Sequence, residues 1–180
     1  MNNRTLLAHD HSELDSLLHA AFSALAAGKI EQSFETVDTF WARLAMHIRA
    51  EHHQLFPAVL RAVDAAAQKT GVGGSPSREI AQVRIAQLRE DHEYFMGELA
   101  AAVNELRTLR EKHHEDETGV LRKVEARITA VSRRLEVHNK VEESEVYQWV
   151  GMLLEVPEQV ALNKKIQCEL RNLPQRFERK

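Results

Sequence analysis

A single cysteine, Cys168, in 180 residues excludes an internal disulfide and any four-cysteine metal site, and it fits a reducing compartment. Glycine and proline are scarce, at seven and four, so the chain has few places to turn. Long apolar runs are missing, so no segment is expected to span a bilayer. The first ten residues carry Arg4, His9 and Asp10 and resemble neither a signal nor a transit peptide, which makes the cytoplasm the expected address. Excess positive charge is absent too. At a formal −3, the chain offers nucleic acid or an anionic membrane no electrostatic grip. No His-Glu-x-x-His occurs, nor a phosphate-binding glycine loop ending in Lys-Ser or Lys-Thr, nor a Gly-x-Ser-x-Gly elbow.

What the chain does have is helix-forming residues in abundance, with 43% hydrophobic and 28% charged residues, and ten histidines. Apolar residues recur with the 3.6-residue period of a helix, so the expected class is all-α. The first helix is expected from about Asp10, or earlier, to Ala27. Leu14, Leu18, Phe22 and Leu25 share its face, Asp10 and Glu13 have capping-box spacing, and Gly28 is placed to end it. A second helix runs from near Ile30 to about Lys69 on Val37, Phe40, Leu44 and Leu55, with Pro57 expected to bend it. The stretch 71–76 reads as a glycine-rich loop, with Ser75 and Pro76 as N-cap and first helical position. A third helix then runs to about Lys112 along Val83, Leu88, Phe95, Leu99, Val103 and Leu106. After a polar break at His113–Gly119, a fourth spans about Val120 to Leu154 on Val124, Ile128, Val131 and Leu135. A shorter fifth, about Pro157 to Asn172, carries Val160, Ile166 and Leu170. The reading is an up-and-down four-helix bundle over residues 1–155, with a C-terminal helix and tail over 156–180.

Four histidines fall on these apolar lines, one per helix: His11, His47, His92 and His138. His9 and His19 fall on polar faces, His113 and His114 in the polar break. His52 and His53 share no face with His47 and are surface or second-layer candidates. One turn after His47 comes Glu51, and one turn after His138 comes Glu142. A buried carboxylate is costly unless paired or bound to a metal, so two glutamates among four core histidines call for cations. A lone histidine on an apolar face is most often a satisfied core residue; the set is harder to explain that way. His11 and His47 each lie about 18 residues from the turn near Lys29, and His92 and His138 each about 23 from the turn near Glu115. In an up-down bundle that places all four in one layer. Glu-x-x-His, which ferritin-like di-metal sites use twice, occurs once, at Glu111–His114, at a helix end.

The segments His11-Ser12-Glu13-Leu14, His47-Ile48-Arg49-Ala50-Glu51 with Leu55-Phe56-Pro57, Asp91-His92, and His138-Asn139-Lys140-Val141-Glu142 resemble the hemerythrin-like (HHE cation-binding) family over about residues 8–152. The resemblance implies a non-haem di-iron centre and reaction with, or sensing of, oxygen, peroxide, nitric oxide or iron. The chain departs from the oxygen carriers at Met96, where they place a second histidine one turn after His92. On this reading His11, His47, His92 and His138 are terminal ligands and Glu51 and Glu142 bridges. Two irons are the expected cofactor, with zinc or manganese able to replace them in a purified sample, and a small diatomic molecule or peroxide is the partner. An iron position beside Met96 is expected to stay open. Without metal, Glu51 and Glu142 are expected to take up protons and steady the core in acid. Two other readings stand beside this one: a metal-responsive interaction module without turnover, and a helical homodimer that captures zinc.

Overall fold

The computed structural model describes residues 3–68, 76–111 and 116–177, and among them every regular element is helical. Five helical rods form an up-and-down bundle. The first is α1 (Asn3–Ala26). The second joins α2 (Ile30–Ala50) to α3 (Phe56–Ala67) through a π-helical turn at Glu51–Leu55. The third is α4 (Arg78–Glu111). The fourth joins α5 (Glu117–Val141) to α6 (Tyr147–Leu153) through a second π turn at Glu142–Val146. The fifth is α7 (Val156–Arg171), opened by a capping box between Glu155 and Glu158.

Gly28 ends α1 as expected. Its φ of +65° suits a residue without a Cβ, and Gly28 N–H and Lys29 N–H donate back to Leu25 and Ala24 carbonyls in a Schellman pair. Asp10, in contrast, caps nothing, because α1 begins seven residues before it. The expected Ser75 cap lies outside the described residues; α4 starts at Arg78, with Ser77 Oγ accepting from Ile80 N–H. The polar break also ends earlier than expected, since Asp116 caps α5 by accepting from Gly119 N–H. His113 and His114 lie outside the described residues. Val83 and Val160, placed on core lines by periodicity, are exposed.

The apolar interior falls into two plugs. One packs Leu14, Leu18, Phe40, Leu44, Phe95, Leu99, Ile128 and Leu135. The other packs Leu7, Leu55, Phe56, Leu88, Val146 and Tyr147, and α7 closes it with Leu162 and Ile166. At roughly 1.5–3 kcal/mol for each fully buried large side chain, the two plugs supply most of the apolar stabilisation of the bundle. Along each rod the inward histidine falls where one plug gives way to the other: His11 between Leu7 and Leu14, His47 between Leu44 and Leu55, His92 between Leu88 and Phe95, His138 between Leu135 and Val146. The site is a polar layer sealed above and below by hydrocarbon.

Candidate metal centre

All six side chains singled out by spacing meet in that layer, and each is buried. Two sets of donor atoms form. Glu51, His92, His138 and Glu142 make one; His11, His47 and Glu142 make the other, with the atoms of each set within 4.8 Å of one another. The Nε2 atoms of His11 and His47 stand 3.2 Å apart, and those of His92 and His138 stand 3.0 Å apart. Glu142 belongs to both sets. Its Oε1 is 3.0 Å from His138 Nε2 and its Oε2 is 3.4 Å from His11 Nε2. Glu51 Oε1 is 3.5 Å from His47 Nε2, and Oε2 is 3.3 Å from His92 Nε2.

Each histidine presents Nε2 to the layer and is held from behind at Nδ1. His47 Nδ1 lies 2.8 Å from Asp10 Oδ2, His138 Nδ1 lies 3.0 Å from Asp91 Oδ2, and His11 Nδ1 lies 2.9 Å from Glu143 Oε1. A carboxylate can only accept, so in these three rings Nδ1 carries the proton. His92 Nδ1 instead meets a ring nitrogen, Nε2 of half-buried His52, at 2.9 Å. Burial, with the neighbouring charges of His92 and Arg89, pushes His52 down to about 4 and keeps it neutral. Arg43 clamps Asp10 at 2.8 Å and Arg134 clamps Asp91 at 2.6 Å. Such partners fix ring orientation and raise nitrogen basicity. Asp10→Asn is therefore expected to keep the fold while weakening metal binding about 10–100-fold, read by competition with a chelator of known affinity.

These partners expose a repeat that the identity of whole helices hides. Asp10-His11 matches Asp91-His92. Arg43-Leu44-x-x-His47-x-x-x-Glu51 matches Arg134-Leu135-x-x-His138-x-x-x-Glu142. Both π turns begin at the glutamate, with Phe56 N–H donating to Glu51 O and Tyr147 N–H donating to Glu142 O. Proline is not what makes the turn, since the second one contains none. Two of the differences between the halves bear on the centre: His52 corresponds to Glu143 and Phe56 to Tyr147. Tyr147, unremarked in the sequence, is fully buried at the centre. Its hydroxyl donates to Glu51 Oε1 at 2.9 Å and Glu142 Oε2 at 3.1 Å, and lies 3.3 Å from His11 Nε2. Burial, reinforced by the charges of Glu142 and Glu51, holds this phenol well above its usual range, so it stays a hydroxyl.

The charge state overturns one expectation. Burial alone would raise the Glu51 carboxyl, but the imidazoles of His47 and His92 outweigh it and hold it well below the usual range. Glu142 is likewise held down: burial and the charge of Glu51 push upward, and His138 and His11 prevail. For His138, burial is outweighed by Glu142, Glu51 and Asp91, which push it up to about 9. For His47 burial is outweighed by Glu51 and Asp10, and it sits well above its usual value. The metal-free core is thus ion-paired, with protons on imidazoles rather than on carboxyls. Met96, expected beside an open position, packs partly buried against the first plug, and the half with fewer donors is that of His11 and His47, not that of His92.

Protons do not complete the satisfaction of the site. Glu51 Oε2 and Glu142 Oε1 are buried and face His92 Nε2 and His138 Nε2 at 3.3 and 3.0 Å, close enough for charge attraction but without an aligned hydrogen bond. Four imidazole nitrogens and two carboxylates, two of whose oxygens are free, form a donor set suited to a pair of metal ions. An all-α bundle with two such clusters matches the hemerythrin-like metal-site architecture. No family model, curated protein or solved structure matches the chain.

Proposed function

We propose that the chain binds two iron ions and reacts with or senses oxygen, peroxide or nitric oxide. The carrying observation is the two buried donor sets that share Glu142, with Glu51 Oε2 and Glu142 Oε1 left without a hydrogen bond on the side of His92 and His138. Imidazole and carboxylate together suit iron, and the repeated half-motifs supply one histidine pair per ion. His11 and His47 would hold one ion and His92 and His138 the other, with Glu142 and Glu51 between them. When bound, iron in such a set supplies redox-active positions at which a small exogenous molecule attaches. The chain's own contribution is orientation and exclusion. Asp10, Asp91, Glu143 and His52 hold the rings, the plugs keep bulk water out, and Tyr147 keeps a hydroxyl proton at the inner face of both carboxylates. The half with three donors is the one with room for an exogenous ligand. A cytoplasmic address, where exposed Cys168 stays reduced, goes with this reading.

The second reading, a metal-responsive interaction module, has an observation in its favour. The rod that carries Glu51 is tied to α7, through Gln54 and Arg49 to Glu169 at 3.2 and 2.9 Å. A change at Glu51 would therefore reach the C-terminal helix.

Anaerobic reconstitution with ferrous iron tests the proposal. Elemental analysis is expected to return about two irons per chain, and optical spectra to change on adding oxygen, peroxide or nitric oxide. His9→Ala and His19→Ala, at exposed positions, are expected to leave the ratio unaltered. A ratio near zero in the native chain, or one that survives replacement of both Glu51 and Glu142 by alanine, overturns it.

A further inference from the structure

A centre sealed between two hydrocarbon plugs has to be filled from the side. The bundle offers a seam for this. Among neighbouring rods, α1 and α5 touch far less than α1 and α2, α4 and α5, or α2 and α4. Along that seam runs a solvent-open cleft of about 390 Å3, and His11 stands in its wall.

The chemistry along the cleft is that of a cation path. Asp15 and Glu136 stand toward solvent. Lys140, the one lysine in the lining, pairs with Glu136 at 2.6 Å, which leaves Asp15 and Glu143 as the negative charges of the cleft wall that it does not offset. Asn139 lines the cleft with a buried Oδ1 that has no partner. Glu143 sits against His11. Its side chain is 46% exposed, yet its Oε1 reaches Nδ1 of His11 at 2.9 Å, so one carboxylate links solvent to the back of the ring whose Nε2 faces the centre. Small side chains, Ala8, Ser12 and Ser132, leave the width. The equivalent place in the other half holds His52, which brings no negative charge.

We propose that divalent cations enter and leave the centre through the α1–α5 cleft, with Glu143 as the last oxygen relay before His11. This rests on the reading that the cluster binds metal. A hydrated cation meets carboxylates at the rim, exchanges water for Glu143 and Asn139 oxygens inside, and passes to the donor set of His11, His47 and Glu142. The more enclosed set of Glu51, His92 and His138 fills after it.

Cobalt(II) is a suitable probe, because its visible absorption develops on binding. Uptake by the full chain after rapid mixing, and extraction by excess EDTA, give the two rates; equilibrium titration gives the stoichiometry. Ser132→Trp wedges the cleft, and Ser12→Phe does so at an exposed position where the fold is not at risk. Both are expected to slow uptake and extraction several-fold or more with unchanged final stoichiometry. Asp15→Asn with Glu136→Gln is expected to slow uptake at low ionic strength and to match the native chain in high salt. Ala65→Trp, in the separate groove between α3 and α7, is the control and is expected to change neither rate. Native rates in both wedge variants overturn the path while leaving the metal site standing. Absence of cobalt from the native chain at equilibrium overturns the site and the path together.

Discussion

Glu142→Ala is expected to break up the metal pair by emptying the His11 half, whereas Glu51→Ala is expected to leave that half's ion in place. Glu142 is the one side chain in both donor sets. Without it the His11 half keeps its two imidazoles and a Glu51 oxygen 3.5 Å from His47 Nε2, a weaker hold on a divalent ion than Glu142 gives. The other half loses the carboxylate closest to His138. Without Glu51, the set of His11, His47 and Glu142 is intact. A ferrous titration should therefore fall from two equivalents to at most one for Glu142→Ala, held by Glu51, His92 and His138, whereas Glu51→Ala should keep at least the ion of His11, His47 and Glu142. The metal-free protein should suffer as well. Removing one member of a buried ion pair costs about 3–5 kcal/mol when the remaining charge cannot escape. His138 can release its proton, so the loss in melting experiments should be smaller, and smallest at alkaline pH. Two tightly bound irons in Glu142→Ala would show that the two positions do not share a bridge.

The second large effect is on pH. In the metal-free chain His138 is raised to about 9, above its ordinary value. Its pairing thus stabilises the fold fully below that ordinary value, near 6.5, and is lost as pH rises through about 9. Asp10, Glu51 and Glu142 are depressed, so their contribution is present above the ordinary carboxyl range and fades as pH falls through their lowered values. Metal-free melting temperature should therefore hold steady through mildly acid pH and decline toward pH 9. Metal affinity should run the other way. A cation must displace the proton that His138 holds, so the affinity of its ion should climb about tenfold per pH unit from neutrality toward 9, and the ion beside His47 should follow the same direction. Calorimetry in buffers of different ionisation enthalpy should register the released protons. Affinity that stays flat between neutrality and pH 9, with no proton release, would mean that the imidazoles are already neutral and that the ion-paired core is wrong.

The four histidines and two glutamates are legible in the sequence because each sits on the same helical face as its apolar neighbours, and a 3.6-residue period reports that directly. Asp10 is easily misread, because aspartate is a good cap and Glu13 stands at cap spacing; only the position of Arg43 and His47 in space gives it its use. A better signal lies in the repeated Asp-His pairs and in the arginine four residues before each His-x-x-x-Glu. Tyr147 escapes for a geometric reason. It lies five residues after Glu142, and in an α-helix that spacing faces away. The π turn, with its wider loop, brings residue i+5 over residue i, as Tyr147 N–H to Glu142 O shows. Val83 is apolar but out of phase: at about 100° per residue it lies on the far side of α4 from the buried line of Ala81, Ile85, Leu88 and His92, and so faces solvent.

Those two π turns also bear on how the chain tolerates changes of length. Each turn winds five residues where an α-helical turn closes on four, so it absorbs one residue without rotating the helix beyond it. Losing one residue at 52–55 or at 143–146 would let the ladder close as ordinary α-helix and keep Phe56 or Tyr147 over its glutamate. The same loss elsewhere in these rods would swing every later side chain by about 100° and carry the second plug off its face. A sequence one residue shorter inside either rod can thus share the whole core, and an alignment that forbids gaps within helices would set its downstream residues against the wrong partners.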